Sequence, residues 1–424
     1  MSSKRDVLLS TAIGASMGRS WYSREEAPTR IPSSVWALSF VSLLTNASSV
    51  VITALTPLFI TGILGGTSID VGHIRGFTEA LSYIVKLFSG VLSDYIGKRK
   101  ILVLIGYACA ALTKPLFATA NGILMYATAQ TLERVANGMR DTPRDALIAD
   151  YAPKGRKGVC FGLRQSMACA GSAIGAFLCY QVMQATGSDI RLTYFLAIIP
   201  IIIAVVVLYV GVEEPKNLSR LKDHRKKGFP IRREELAMLG SRYWMFISVV
   251  LVFMLVRFSE SFLVLKAQTQ GMEAKYASLI LLVMYVFNTP AARIVGKLSD
   301  YTDRRVFLLF GFSILLISCV TLALSDSIFM TLVGVALYGI HHGATQGTFY
   351  AMVADYSPQK LKGTAFGVFN LVCAVGMLIS NATVGYLWHL YSPTIAFFAP
   401  SVIVLLAIIG VVFVKPPLDH AEEE

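Results

Sequence analysis

Long apolar stretches, separated by short polar connections, run along almost the whole chain. Twelve of them are long enough to cross a bilayer as helices, because a spanning helix needs about 20 residues. We number these predicted spans in chain order, at residues 33–64, 70–95, 100–119, 122–151, 158–186, 192–212, 243–269, 274–300, 305–325, 328–356, 362–390 and 394–414. Several exceed the minimum length, which indicates tilt, kinks or extension beyond the hydrocarbon layer.

A short polar pattern occurs twice, each time between two of these spans. It reads Gly90-Val-Leu-Ser-Asp94-Tyr-Ile-Gly97-Lys98-Arg99-Lys100 in the first half and Gly296-Lys-Leu-Ser-Asp300-Tyr-Thr-Asp303-Arg304-Arg305 in the second. Two further blocks repeat at nearly the same offset, 149–153 with 354–358 and 157–162 with 362–367. Three collinear matches indicate that the halves arose by duplication, which is typical of two-bundle secondary transporters.

The first copy resembles the G-x-L-x-D-x-x-G-[RK]-[RK] signature between the second and third helices of the major facilitator superfamily. The resemblance covers roughly residues 33–415, although Asp303 stands where the second copy usually has glycine. It implies an all-α integral membrane fold of twelve helices, in which two six-helix bundles related by a pseudo-two-fold axis enclose a cavity. The expected divisions are an N-terminal tail (1–32), the first bundle (33–212), a linker (213–242), the second bundle (243–414) and a C-terminal tail (415–424).

Composition also indicates a membrane protein, independently of the repeat. Charged residues make up 15% of the chain, against about 25% in soluble domains, and the mean hydropathy is +0.61. Basic residues concentrate in the N-terminal tail, the linker and every second connection, so the positive-inside rule predicts cytoplasmic termini. This distribution explains most of the net charge of +12 and argues against nucleic-acid binding. We expect a monomeric, multi-pass protein of a bacterial inner membrane whose partners are lipid and a small-molecule substrate.

Two motifs of common enzymes are absent from the sequence. It has no phosphate-cradling loop and no Cys-x-x-Cys, and we expect neither enzymatic activity nor a cofactor. The six cysteines lie in apolar stretches without metal-ligand spacing. His341 and His342 are adjacent, and adjacent side chains on a helix point about 100° apart. No metal site is therefore predicted.

The repeated loop carries the candidates for gating. Gly90 and Gly97 allow a tight turn, and Asp94 can face the positive end of a neighbouring helix. By resemblance that neighbour is the eleventh helix, and the contact closes the cytoplasmic side. The basic residues of the loop add ionic contacts and also set topology. The gating set is completed by Lys98, Arg99 and Asp300.

Ionisable residues inside spans are costly and usually face a cavity, and span 4 holds the most of them. Arg134 with Gly138 resembles the R-x-x-x-G motif of the superfamily, whose arginine lines the cavity and is linked to proton coupling. Arginines outnumber acids at cavity depth, and guanidinium groups bind carboxylate or phosphate with two parallel hydrogen bonds, which favours an anionic substrate. The predicted substrate-binding residues are Arg134, Arg140, Arg144, Arg164, Arg257, Asn288, Arg293, His341 and Gln346. The predicted proton-coupling residues are Glu133, Glu260 and Arg134.

Local ion pairing is the alternative for several of these residues. Arg140 and Arg144 can pair with Asp141 and Asp145, and Arg257 with Glu260 at i,i+3 spacing, without binding any substrate. The favoured function is proton-coupled secondary transport, by alternating access, of a small anion such as a carboxylate, a carboxylate siderophore or a phosphorylated metabolite. A multidrug/proton antiporter, a lipid flippase and a non-transporting sensor of the same fold are alternatives. Span 5 lacks the proline that is typical of drug antiporters.

Overall fold

All secondary structure in the computed structural model is helical among the residues that it describes. These are 31–96, 99–153, 157–214, 236, 238–299, 302–358 and 361–414, without the side chains of 90–96, 157–158 and 362. The helices are α1 (Ser33–Leu58, continued by a π-helical turn at Phe59–Ile63), α2 (Ser68–Ile96), α3 (Arg99–Thr119), α4 (Ile123–Tyr151), α5 (Lys157–Ala185), α6a (Ile190–Leu196), α6b (Ile198–Gly211), α7a (Ser241–Met254), α7b (Ser261–Thr269), α8 (Ala277–Leu298, after a 3-10 turn at Ala274–Tyr276), α9 (Arg304–Leu324), α10 (Ile328–Tyr356), α11 (Lys362–Leu390) and α12 (Pro393–Phe413).

Nine helical segments in the described part of the chain are long and apolar enough to cross a membrane. The helices at predicted spans 2, 4 and 7 fall short of that criterion. Helices α2 and α4 have sufficient length but contain charged side chains, and α7 is divided into two short segments. Some of the polar groups that lower the apolarity of these three helices lie close to one another between the two halves.

Predicted span 7, over 243–269, is divided into two helices in the structure. Helix α7a ends at Met254 and α7b begins at Ser261, and the intervening turn holds Arg257 and Glu260. The polar groups released by this break have partners on two other helices. Tyr338 Oη donates a hydrogen bond of 2.6 Å to the Phe258 carbonyl oxygen, and the Ser259 N–H donates one of 2.8 Å to Asn381 Oδ1. Because unpaired backbone groups are costly away from water, these bonds stabilise the broken helix.

The sequence repeat produces the same ion pair in both halves. Arg99 at the start of α3 lies 2.5 Å from Asp150 at the end of α4, and Arg304 at the start of α9 lies 3.2 Å from Asp355 at the end of α10. These pairs mark the end of the molecule that carries the basic connections, which we call the basic face. Their equivalence supports the pseudo-two-fold relation between the halves.

Asp303, which replaces the glycine of the pattern, has a structural role of its own. Its Oδ1 accepts a hydrogen bond of 3.0 Å from the N–H of Arg305 and so caps the first turn of α9. The side chain of Arg305 also donates to this carboxylate and holds the pKa of Asp303 below its ordinary value. The capped turn explains why this position does not need glycine.

At the face opposite the basic face, the two halves touch. A Cβ atom added to Gly72 of α2 would lie 2.4 Å from the carbonyl oxygen of Asn381 in α11, which only glycine avoids. Nearby, Ser68 Oγ donates a hydrogen bond of 3.1 Å to the Gly385 carbonyl oxygen. Tyr180 of α5 stacks on Tyr276 with ring centroids 5.7 Å apart. These contacts join the two halves at this face, which we call the closed face.

We expect Gly72→Val to prevent this closure and to lower the transport rate by at least about tenfold, a loss of roughly 1.4 kcal/mol. The added side chain would meet backbone rather than a flexible side chain. Alkylation of an introduced Ser68→Cys by an impermeant maleimide, in a background without the native cysteines, should become faster. Gly162→Ala is the control, because its added Cβ meets no heavy atom of another element within 4 Å among the described residues. Wild-type transport by Gly72→Val would show that the contact is dispensable.

Candidate functional site

Five ionisable side chains from α2, α4 and the α7 break lie between the two halves, four of them linked by ion pairs and the fifth, Arg257, interacting with them electrostatically. We call this group, Arg75, Glu79, Arg134, Arg257 and Glu260, the central cluster. Arg75 is only 1% exposed. Its Nε donates a hydrogen bond of 2.8 Å to Ser259 Oγ, and its Nη2 lies 3.4 Å from Glu79 and 3.5 Å from Glu260. Arg75 thus links both carboxylates and joins the first half to the second.

The other two arginines of the central cluster come from opposite halves. Arg134 Nη2 lies 3.0 Å from Glu79 Oε1. Arg257 interacts electrostatically with both carboxylates, but it does not form the predicted i,i+3 pair with Glu260, whose carboxylate contacts Arg75 instead. The break in α7 explains this difference, because Arg257 and Glu260 do not lie on one helical face.

The central cluster has more positive than negative charge. Its three guanidinium groups face two carboxylates, which leaves one positive charge in excess when all five groups are ionised. In the described part of the chain, Arg75 Nη1 and Arg134 Nε are buried without a hydrogen-bond partner. Buried donors without acceptors are costly, and a bound anion would supply acceptors for them.

His342 connects the central cluster to α8. Its Nε2 lies 2.6 Å from Arg257 Nη2, and its Nδ1 lies 2.8 Å from the side-chain amide of Asn288. A guanidinium group can only donate, so Nε2 must accept and His342 must be neutral with its proton on Nδ1. The side-chain amide of Asn288 can be placed in either orientation, and its oxygen then accepts the hydrogen bond that the His342 Nδ1–H donates.

His341, which the sequence favoured as a binding residue, lies elsewhere. It is fully buried, and its Nδ1 lies 2.9 Å from the Gly311 carbonyl oxygen of α9. The rings of Phe253 and Tyr338 pack beside it. Of the two histidines, it is therefore His342 that contacts the central cluster, because adjacent residues of one helix face different neighbours.

Four further charges of α4 lie closer to the basic face and, with one lysine of α2 and one arginine of α5, form a group that we call the basic-face cluster. It consists of Lys86, Arg140, Asp141, Arg144, Asp145 and Arg164. Arg144 lies 3.1 Å from Asp141 and 3.0 Å from Asp145, as local pairing predicts. Arg140 stacks on Tyr107 of α3, with its guanidinium carbon 4.3 Å from the ring centroid. The prediction that Arg140 joins Arg134 and Arg257 around one ligand therefore finds no support in this geometry.

Glu133 occupies a separate site between α3 and α4. Its Oε1 lies 2.5 Å from Lys114 Nζ, and both side chains are almost fully buried, at 4% and 0% exposure. Lys114 was not singled out from the sequence. Among the described residues Glu133 forms no ion pair with the central cluster, but it interacts electrostatically with Arg134. Its proton-coupling role stays a prediction, with a structural ion pair as the alternative.

A structural pair leads to a specific expectation for Lys114→Met. Removing one partner of a buried ion pair costs about 3–5 kcal/mol, because the other charge is left uncompensated. We expect a loss of detergent-stable, monodisperse protein, measured by size exclusion and thermal unfolding. The double variant Lys114→Met with Glu133→Leu should recover most of the stability. If Glu133→Gln alone abolishes proton-driven uptake in well-folded protein, the proton-coupling role is supported instead.

The other predicted positions do not belong to the central cluster. Arg293 and Gln346 are exposed, and Arg164 lies 3.7 Å from Asp145 within the basic-face cluster. Of the gating set, Arg99 pairs with Asp150 of its own half. Gly90 and Asp94 belong to α2, but their side-chain environment lies outside the described residues. Gly97, Lys98 and Asp300 also lie outside them. Their gating roles stay predictions.

Comparisons with known proteins agree with this architecture. The family model described as Major Facilitator Superfamily matches residues 36–381 and 268–424. An uncharacterized MFS-type transporter of Methanocaldococcus jannaschii is 29% identical over 395 residues, covering 92% of this chain and 96% of the relative. The nucleoside transporter NupG has a similar fold, with a TM-score of 0.74 and 10% identity over 89% of this chain and 98% of that one. A bacterial homologue of the human lysosomal transporter Spinster, in an inward-facing and occupied conformation, also has a similar fold. Its TM-score is 0.68 and its sequence identity is 15%, over 91% of this chain and 98% of that one.

Proposed function

We propose that this chain, which belongs to the Major Facilitator Superfamily and is a secondary transporter, carries a small organic anion together with protons. The observation that supports this substrate class is the central cluster, where three arginines face two carboxylates. Two guanidinium nitrogens there also have no partner in the described structure. A carboxylate of the metabolite or siderophore type would neutralise the excess charge and accept hydrogen bonds from these donors.

Arg134 and Arg257 are the proposed binding residues for the anion. They come from different halves, and Arg257 is oriented by His342, which is itself held by Asn288. A ligand between Arg134 and Arg257 contacts both halves at once. Such contacts are what an alternating-access transporter needs, because the ligand then influences how the halves move relative to each other.

Glu260 is the proposed proton-coupling acid. It is 23% exposed, whereas Arg75 beside it is 1% exposed, so Glu260 has access to water that its partner lacks. An ionised Glu260 and a bound anion would attract the same guanidinium groups. Protonation of Glu260 removes this competition, so proton and anion favour each other's binding. The expected coupling is therefore symport, with both moving in one direction.

The closed face and the central cluster together describe one state of the transport cycle. Under the positive-inside rule we place the basic face and both termini in the cytoplasm, so the closed face is external. Arg75 contacts Ser259 and Glu260 across the halves beneath this closed face. Protonation of Glu260 would weaken one of these contacts and so favour external opening.

Transport assays on proteoliposomes test this function directly. Vesicles with an imposed pH or sodium gradient should be screened with citrate, succinate, a carboxylate siderophore and a sugar phosphate, alongside a cationic dye and a nucleoside. We expect accumulation of an anion that depends on the pH gradient and is abolished by a protonophore. Accumulation of only the dye or the nucleoside, or dependence on sodium alone, would overturn the proposal.

A further inference from the structure

We infer that the basic-face cluster is a second anion-binding site, on the path between the central cluster and the basic face. The inference rests on the proposed function, because the anion received there is the transported one. It assigns this site a ligand class, which is a dianion such as a dicarboxylate or a phosphate. The charges of the basic-face cluster have no role in the proposed function, and they are the basis of this second site.

In this cluster two carboxylates, of Asp141 and Asp145, form ion pairs with four cationic side chains. Asp141 lies 3.2 Å from Lys86, 3.1 Å from Arg144 and 4.0 Å from Arg140. Asp145 is likewise shared between two arginines, Arg144 at 3.0 Å and Arg164 at 3.7 Å. Considering only the side chains that the structure describes, two positive charges remain in excess. A dianion is the ligand that would balance them.

The cations of this cluster have unused hydrogen-bonding capacity. Arg140 Nε and Nη1 and Arg164 Nε are buried without a hydrogen-bond partner among the described residues. Excess charge in a desolvated site is costly unless a counter-ion or water compensates it. Lys86 is 33% exposed and Arg164 is 17% exposed, so these two residues can reach a ligand that enters from water.

Tyr350 of α10, which belongs to the second half, is within electrostatic range of this cluster. It is 39% exposed and interacts electrostatically with Lys86 and Asp141 of the first half. It also interacts electrostatically with Arg257 of the central cluster. Tyr350 is therefore within electrostatic range of both clusters, and we infer that an anion leaving Arg257 toward the basic face would meet Lys86 next.

Two substitutions with opposite expected effects test the second site. Arg164→Gln removes a cation, whereas Asp145→Asn removes a competing carboxylate. Both are introduced into Arg257→Gln protein, in which the central cluster is disabled. Binding of radiolabelled inorganic phosphate and of succinate is then measured at constant ionic strength in phosphatidylcholine nanodiscs. Arg305→Gln, which removes a basic charge from the same face of the other half, is the matched control.

We expect the Arg257→Gln protein to retain one weak site for these dianions. Arg164→Gln should weaken binding there by about tenfold, the effect of losing one charge-assisted hydrogen bond. Asp145→Asn should strengthen it, and Arg305→Gln should leave it unchanged. Weaker binding with both cluster variants, or no change with either, would identify a purely structural ion-pair network and overturn the inference.

Further measurements distinguish a lipid headgroup from a free anion as the ligand. They also distinguish failure of the second site from failure of the proposed function. If phosphatidylglycerol in the nanodiscs abolishes phosphate binding, a lipid headgroup is the ligand, and the inference that transported anions bind there is overturned. Monodispersity and thermal unfolding show whether each variant is folded. Should anion transport be demonstrated while Arg164→Gln leaves binding unchanged, only the second site fails. Should no anion be transported, yet Arg164→Gln and Asp145→Asn act in opposite directions, the proposed function fails and the site remains.

Discussion

Glu260→Gln is expected to abolish accumulation of the substrate against its gradient while leaving exchange of substrate across the membrane intact. Glutamine keeps the shape and hydrogen-bonding capacity of the protonated acid but cannot release a proton. Each pH unit of gradient supplies about 1.4 kcal/mol per proton, enough for about tenfold accumulation. The variant should therefore bring the accumulation ratio at any imposed pH gradient to about one.

Uptake driven by a pH gradient and counterflow of labelled substrate, measured on the same vesicles, separate the two properties. Counterflow needs only binding and alternating access, so it should continue in Glu260→Gln. Glu273→Gln is the matched control, because Glu273 lies before α8 near the closed face, where it pairs with Lys275 at 2.7 Å. Undiminished accumulation by Glu260→Gln would assign proton coupling to another acid, with Glu79 as the next candidate.

The sequence was sufficient to predict the fold because the evidence for it is repeated along the chain. Apolar stretches, basic connections and two copies of one loop pattern are one-dimensional features that need no knowledge of contacts. The paired Arg99–Asp150 and Arg304–Asp355 contacts show how that repeat becomes equivalent structure in both halves. The break between α7a and α7b was not predicted, because the turn is short and the apolar residues on both sides of it read as one membrane span.

The candidate site was predictable in kind but not in detail. The sequence indicates an excess of arginine at cavity depth, yet it does not show which arginine faces which partner. Arg75 was overlooked although it stands one helical turn before Glu79, a spacing that indicates a shared face. Lys114 had no such local signal, because its partner Glu133 is on another helix.

For the histidine pair, the sequence does not show the contacts, but the spacing of polar residues on α10 does indicate which histidine faces the cavity. Polar residues recur at His342, Gln346 and Tyr350, four residues apart, which places them on one face of α10. His341 belongs instead to the face that packs against α9. Applying this spacing rule would have favoured His342. Its contact with Arg257 still depends on the fold of the α7 break.

Arg257→Lys is expected to weaken anion binding by roughly 10- to 150-fold, the effect of losing one charge-assisted hydrogen bond worth about 1.5–3 kcal/mol. Lysine keeps the positive charge but has neither the planar fork nor the reach to contact both His342 and a carboxylate. Equilibrium binding of the anion identified by the transport screen, on purified protein, provides the measurement. Arg191→Lys is the control, because Arg191 donates to the Ala118 carbonyl oxygen outside both clusters.

A double-mutant cycle with His342→Ala shows whether the histidine acts through Arg257. If His342 orients the guanidinium group, His342→Ala should weaken binding in the wild-type protein but have little further effect in Arg257→Lys, because the two residues share one interaction. Additive losses would mean that His342 contacts the ligand independently. Unchanged affinity in Arg257→Lys would show that the ligand recognises only the positive charge. If Arg257→Ala also kept the wild-type affinity, Arg257 would be a structural ion-pair partner, and the main support for an anionic substrate would be lost.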